Sequence, residues 1–324
     1  MRTALIIGGT RNLGPGIAAA LLDAGFFVSV FHRGVTVADA LPANVERLRG
    51  DRSDAASLAA AVGSRSFEVV VDTTLYNGPD GESAGRIFTG RTGRYIMLST
   101  GQVYLVRAGL ERPFAERGYA GPVVPAPVHS KFDLDNWSYG VHKRAAEDAL
   151  TAAPVPVTIL RLPMVNSKRD HFHRIRNYLA RLGDGGPILV PEGPHLPLRH
   201  VYGKDVVQAV MRAVEAGIDG AFNAGQDETA TIDSFLQQLA SLSGTRANVK
   251  RVPARLLWDR GLMPACSHFS EPWMSSLDNR LGKEKLGLKY TPLESYLAAL
   301  VDDFRTNPAS PPGYEGRAAE LRLT

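Results

Sequence analysis

Cysteine is all but absent. Cys266 is the single thiol in 324 residues, so no internal disulfide can form and a reducing compartment is expected. Long apolar runs are missing too: none approaches the ~20 residues that a membrane-spanning helix needs. Met1 and Arg2 run straight into an apolar stretch, which leaves no room for a secretory signal peptide, and a cytoplasmic location is expected. Neither sign of charge dominates. The 37 Lys and Arg stand against 33 Asp and Glu, a net +4, which permits anionic ligands without demanding nucleic acid. His171 and His173 have no carboxylate or cysteine cluster beside them, so no metal site is expected. No internal repeat or low-complexity segment occurs.

What is present is ordinary globular chemistry: 44% hydrophobic and 22% charged residues, enough for one large core or two modest ones. The first residues carry the organising pattern. Ala4 to Ile7 is a short apolar run, and Gly8-Gly9-Thr10-Arg11-Asn12-Leu13-Gly14 follows it directly. Ile17, Ala20, Leu21 and Ala24 then recur at helical spacing, Gly25 stands where a helix ends, and Phe27 to Phe31 is a second apolar run. Strand, tight turn, helix, strand is the opening of a dinucleotide-binding unit. Further strands are expected at Val45–Leu48, Glu68–Thr74, Arg94–Thr100 and Pro156–Leu162. Their alternation with helical patterns predicts an α/β fold with a Rossmann-type, doubly wound parallel sheet.

Residues 101–133 break the rhythm and read as an insertion before a helix over Asp135–Leu150. Beyond Leu162 the pattern becomes less regular, with short strand-like pieces and helices near Val206–Glu215 and Ile232–Leu242. The expected division is a cofactor domain over 1–165, a smaller α/β substrate lobe over 166–306 interleaved with the core, and a Pro/Gly-rich tail over 307–324.

Three stretches could carry chemistry. The glycine turn, with the free N–H groups and positive end of the helix behind it, suits a pyrophosphate. Arg11 occupies the position where the usual fingerprint has a glycine. The second strand ends in Phe31-His32-Arg33-Gly34 without an acid for a ribose 2′-hydroxyl. Arg33 together with Arg11 suits a 2′-phosphate instead, so NADP is favoured over NAD. Tyr139 and Lys143 are four apart on one helix, close enough for the ammonium to favour a phenolate. Thr100 stands at the C-terminal end of the fifth strand, where parallel sheets bind ligands.

Together, Gly8-Gly9-Thr10 with Gly14, Gly50-Asp51, Ser99-Thr100 with Val103-Tyr104, Tyr139 with Lys143, Leu160 to Pro163 with Val165, and His200 to Asp205 resemble the extended short-chain dehydrogenases/reductases. The group is usually called the NAD-dependent epimerase/dehydratase family. The resemblance implies Tyr139 as general acid/base, Lys143 holding the nicotinamide ribose and Thr100 positioning substrate. It implies cofactor contacts at Gly8, Thr10, Arg11, Asn12, Leu13, Gly14, Arg33, Asp51, Arg52, Thr73, Thr74, Pro163 and Val165. Tyr76, Gln102, Tyr104, Arg169 and Arg199 would face substrate. Gly101 and Gln102 replace the Asp-Glu pair of members that dehydrate nucleotide sugars, which speaks against dehydration by that route. Lys168, Arg169, His171, His173, Arg174, Arg176 and Arg181 surround an apolar stripe and are read either as a solvated face or as a receptor for an anionic substrate.

The expected function is therefore NADP-dependent hydride transfer to or from a carbonyl or secondary alcohol, on a sugar or nucleotide sugar. Sugar epimerisation is the alternative within the same chemistry. A divergent branch with arginine in the turn, whose plant members include RNA-binding chloroplast proteins, keeps open a non-enzymatic protein that senses NADP or binds RNA. A homodimer is compatible with the resemblance.

Overall fold

A computed structural model describes residues 2–35, 40–308 and 311–323. These fall into two compact units, the first built from 1–163, 203–225 and 275–289, the second from 164–202, 226–274 and 290–324.

The first unit is a sheet with helices on both faces. Its strands are β1 (Thr3–Ile7), β2 (Phe27–His32), β3 (Glu46–Arg49), β4 (Phe67–Asp72), β5 (Thr92–Thr100), β6 (Val157–Leu162) and, after three short strands of the second unit, β10 (Gly220–Asn223). All seven run parallel, in the order β10-β6-β5-β4-β1-β2-β3. Ala4 to Ile7 have no exposed surface, as a strand covered on both faces requires. The order reverses between β1 and β4, and the crevice at that switch point is where such sheets hold ligands. The C-terminal ends of β1, β4 and β5 therefore position the site.

Helix α1 (Gly14–Asp23) begins with Pro15 in its first turn, and α2 (Ala55–Val62) is capped by the Asp54 carboxylate, which accepts from Ala56 N at 2.9 Å. A third helix, α3 (Gly78–Phe88), lies against α5 (Lys131–Ala152). A Cβ on Gly81 of α3 would come within 2.7 Å of the Ala146 carbonyl oxygen of α5, so this position must stay bare for the helices to pack. The segment expected as an insertion contains the short helix α4 (Gln102–Leu105) and a 3₁₀ turn at Glu116–Gly118. Helix α5 starts at Lys131, earlier than Asp135, because the Ser130 hydroxyl caps it by accepting from Asp133 N at 3.1 Å.

The second unit holds two two-stranded parallel sheets, β7 (Val165–Asn166) with β9 (Val201–Tyr202), and β8 (Ile188–Pro191) with β11 (Val249–Val252). Helix α6 (Arg174–Gly183) buries Ile175, Tyr178, Leu179 and Leu182 in its core beside Phe235, Leu236 and Leu297. The stretch expected as a tail is partly built into this unit. A last helix over Arg317–Leu321 brings Glu320 to Arg181, whose Nε donates at 3.0 Å, and both side chains are almost fully buried. Ala309, Ser310 and Thr324 lie outside the described residues. No described helix is long and apolar enough to cross a membrane.

Candidate active site

The glycine turn closes on itself. Gly8 and Gly9 have φ of +95° and +74°, Asn12 has +46°, and a Cβ on Gly14 would lie 2.2 Å from Gly9 Cα. Only glycine at 14 lets the start of α1 approach the end of β1 so closely. Leu13 flanks the helix and provides no side-chain cap, Gly14 N donates to Arg11 O at 3.0 Å, and Pro15 has no N–H to cover. Thr10 and Asn12 are half-buried beside it and Arg11 is exposed. The bare backbone and uncapped helix end fit a pyrophosphate.

Thr73 and Thr74 brace this turn. The Thr73 hydroxyl donates to Ile7 O at 3.1 Å and accepts from Gly9 N at 3.4 Å, while Thr74 N donates to Asp72 Oδ1 at 2.8 Å. Asp72 is the fixed point beneath them. Its Oδ2 accepts from Arg52 Nε at 3.1 Å and from the Tyr95 hydroxyl at 2.7 Å. Arg52 also donates to Ser83 Oγ at 3.2 Å and Asp80 O at 2.9 Å. Its expected place at the cofactor is thus corrected: the side chain is buried under the sheet edge, with its charge matched by Asp72. Sequence reasoning pointed to the turn at Gly50-Asp51 but had no signal for that long-range partner.

At the end of β2, Arg33 is exposed and forms no ion pair with any described residue. It stands near Asp51, whose carboxylate accepts from Ser53 N at 3.0 Å and Ser53 Oγ at 2.7 Å. Those bonds, with Arg33, hold Asp51 below the usual carboxylate range. Arg11 and Arg33 both act on the phenol of Tyr76, against the burial and the Asp72 charge that raise it. Arg33 thus acts on both Asp51 and Tyr76, and Arg11 on Tyr76.

Thr100, Tyr139 and Lys143 meet where β5 ends against α5. The Thr100 hydroxyl faces the Tyr139 phenol and favours its charged form. The Tyr139 ring lies 6.5 Å from that of Tyr76. Lys143 is 2% exposed, and its Nζ donates to Leu75 O and Leu98 O, each at 2.8 Å. One N–H is left for a ligand. Burial brings its pKa down to about 8, against the pull of Glu147 and Asp72. The expected electrostatic help to Tyr139 is corrected here. Burial pushes the phenol up, Tyr76 adds to that, and only Thr100 opposes it. The phenol is neutral at neutral pH.

Two residues expected at the substrate behave differently. Gln102 donates to Asn136 Oδ1 at 2.7 Å and remains half-buried. Tyr104 has no exposed surface; its hydroxyl accepts from Arg161 Nη1 at 2.8 Å and donates to Asn223 Oδ1 at 2.9 Å. Burial takes its pKa up to about 12. Tyr104 is therefore a core residue and not a substrate contact. Arg161 in turn is paired with Glu147 at 2.6 Å, and Glu147 accepts from Ser99. This buried network, missed in the sequence, fixes the base of β5 beneath Thr100. Gly101 adds a steric fact: a Cβ there would fall 2.1 Å from Ser275 Oγ and 2.5 Å from its Cβ. An aspartate at that position is barred by space as well as absent.

Pro163 is buried at the end of the first unit. In the second unit Val165 pairs with Val201, Arg169 is exposed, and Arg199 Nε donates to Gln226 O at 2.8 Å. The basic residues around α6 are mostly neutralised locally: Arg174 pairs with Asp170 at 3.1 Å, Arg176 with Asp303 at 3.2 Å, and Arg181 with Glu320. That pattern favours a paired structural face over an anion receptor. Among the described residues no group of three side chains could hold a metal.

No protein-family model matches the sequence, and no curated protein matches it. Solved structures do. The Bordetella bronchiseptica enzyme WbmH, solved with NAD⁺, superposes with a TM-score of 0.73 at 22% identity, over 95% of this chain and 100% of that one. The UDP-glucose 4-epimerase of Thermotoga maritima, solved with UDP-glucose, gives 0.73 at 19% identity over 95% and 100%. The dTDP-glucose 4,6-dehydratase of Bacillus anthracis, solved with NAD, gives 0.74 at 15% identity over 95% and 97%. The chain has the extended short-chain dehydrogenase/reductase fold.

Proposed function

We propose that the protein is an NADP-dependent oxidoreductase of the extended short-chain type, acting on a carbonyl or secondary alcohol of a sugar or nucleotide sugar. The observation that carries this reading is the meeting of Thr100, Tyr139 and Lys143 at the end of β5, beside an uncapped helix start and a bare glycine turn. A bound nicotinamide dinucleotide would supply the carbon that gives or takes hydride. Tyr139 moves the proton, and as a neutral phenol it is ready to donate to a carbonyl oxygen. Thr100 stands beside that phenol, and Lys143 offers its third N–H to the cofactor ribose. Arg11 and Arg33, with no acid at the end of β2, favour the 2′-phosphate form.

Tyr139→Phe removes the proton and keeps the ring. Turnover on the cognate carbonyl should fall at least roughly a hundredfold with cofactor affinity near normal; unchanged turnover would sink the assignment. Arg33→Ala should weaken NADPH far more than NADH in a titration, and equal losses would argue against a phosphate contact.

The solved neighbours favour a second reading. Their ligands include NAD and UDP-glucose, and an epimerase would use the same three residues to oxidise and re-reduce one carbon. Tightly held NAD⁺ in the purified protein would select epimerisation, and exchangeable NADPH would select reduction. Dehydration through an acid after Thr100 has no room beside Ser275. A non-enzymatic, RNA-binding role would show as salt-sensitive RNA affinity without turnover, and an acid/base tyrosine would then have no purpose.

A further inference from the structure

Arg52 is buried at the turn between β3 and α2, and the reading above leaves it without a role. Its guanidinium reaches out to other elements. Nε donates to Asp72 Oδ2 at 3.1 Å, on the last residue of β4. Nη2 donates to Asp80 O at 2.9 Å and Nη1 to Ser83 Oγ at 3.2 Å, both in α3. Thr73 to Asn77 are all that separates β4 from α3. One guanidinium therefore ties together both ends of that short loop. A lysine ammonium could neutralise Asp72, but it lacks the planar fork to hold α3 as well.

The loop is where parts of the site meet. At its start the Thr73 hydroxyl accepts from Gly9 N at 3.4 Å, and a Cβ on Gly8 would lie 2.2 Å from that oxygen. Thr74 N and Oγ1 then donate to Asp72 Oδ1 at 2.8 and 3.2 Å. Leu75 O accepts from Lys143 Nζ at 2.8 Å. The Tyr76 ring stands 5.7 Å from the same ammonium and 6.5 Å from the Tyr139 ring. Glu147 on α5 and Asp72 favour the charged form of Lys143 against its burial. A shift of this loop would disturb the glycine turn and the lysine together.

We propose that Arg52, with Asp72, is a positioning residue: by stapling β4 to α3 it fixes the loop from which Thr73 meets the glycine turn and Leu75 meets Lys143. The inference rests on the reading of that turn and that lysine as cofactor contacts. It makes no use of the 2′-phosphate, so it predicts equal effects on both dinucleotides.

The test compares Arg52→Lys with Tyr95→Phe in the full chain. Tyr95 also donates to Asp72 Oδ2, at 2.7 Å, but from β5. The readouts are the melting temperature, fluorescence titrations with NADPH and NADH, and the titration midpoint of Lys143 by NMR of protein carrying ¹³Cε-labelled lysine. The Lys143 signal is assigned by its loss in Lys143→Arg. Both variants should melt earlier. Arg52→Lys should weaken NADPH and NADH alike, roughly tenfold, and lower the lysine midpoint by about half a unit or more as the Leu75 acceptor moves off. Tyr95→Phe should keep both affinities within about threefold of wild type and the midpoint in place. If Arg52→Lys melts earlier with affinities and midpoint unchanged, or if Tyr95→Phe moves them equally, the staple serves stability alone and the inference is wrong, with the cofactor reading intact. A loss confined to NADPH would put Arg52 at the phosphate and overturn the inference too. If wild type binds neither dinucleotide, the cofactor reading falls and the lysine midpoint still decides the staple. Ser83→Ala removes one anchor on α3 and leaves Asp72 paired; should Arg52→Lys not fold, an unmoved midpoint in Ser83→Ala overturns the inference.

Discussion

Lys143 carries a charge in a place that resists it. Its pKa is brought down from 10.5 to about 8 by burial, so the folded state binds its proton less readily than the unfolded chain does. The sign follows: below about pH 8 the lysine weakens the fold, and between pH 8 and 10.5 that cost is relieved. The upper limit is about 3 kcal/mol. Urea unfolding of wild type and Lys143→Met at pH 7 and pH 10 should show the balance moving toward wild type at the higher pH. A pH-independent difference would show that the two carbonyl bonds offset the burial in full. Lys143 does not act on Tyr139, whose phenol burial and Tyr76 keep neutral in the free protein. Spacing on a helix placed the two side chains on one face; it could not reveal that the ammonium would be claimed by Leu75 O and Leu98 O.

Elements were legible where their residues obey one rule. The apolar centres of β1, β4 and β5, and the glycine turn at the start of α1, could be read from the sequence because a strand segment covered on both faces favours apolar residues. Helix α3 was not. Its sequence, Gly78-Pro-Asp-Gly-Glu-Ser-Ala-Gly-Arg-Ile-Phe88, has three glycines in eleven residues and little helix propensity. Tertiary packing overrides that weakness, since the glycines give α5 its close approach. Gly81→Val should therefore lower the melting temperature of the protein even though valine is the better helix former, at a cost of ~1–3 kcal/mol. Calorimetry showing no loss would mean that α3 can move aside freely. At the site, the same limit applied to Tyr104 and Arg52. Each was chosen by position along the chain, and each is engaged by a partner, Asn223 or Asp72, that no local pattern announces.

The whole molecule is divided in a way that sequence order conceals. The first unit is closed by segments 203–225 and 275–289, and the second by residues as late as the final helix. Arg181 and Glu320 show what that last piece supplies: a buried ion pair between residues 139 positions apart, joined by Arg317, which also donates to Glu320 at 2.9 Å and pairs with Asp184. Removing one partner leaves the other stranded. Glu320→Ala should destabilise by about 3–5 kcal/mol, and the double change Arg181→Met, Glu320→Leu should recover most of it. Denaturant midpoints of the three proteins check this, and an additive double variant would refute the pairing argument.

The place of β10 in the sheet has a consequence for how the chain is made. Strand β6 is buried along its whole length, and the neighbour that covers one edge of it, Gly220–Asn223, is synthesised about sixty residues later. During translation that edge presents unpaired backbone groups to any strand that passes, which is a route to aggregation. Slow synthesis between codons 163 and 223, or scarcity of chaperones, should therefore reduce the soluble yield of this protein more than that of a Rossmann domain whose sheet is complete in one uninterrupted run.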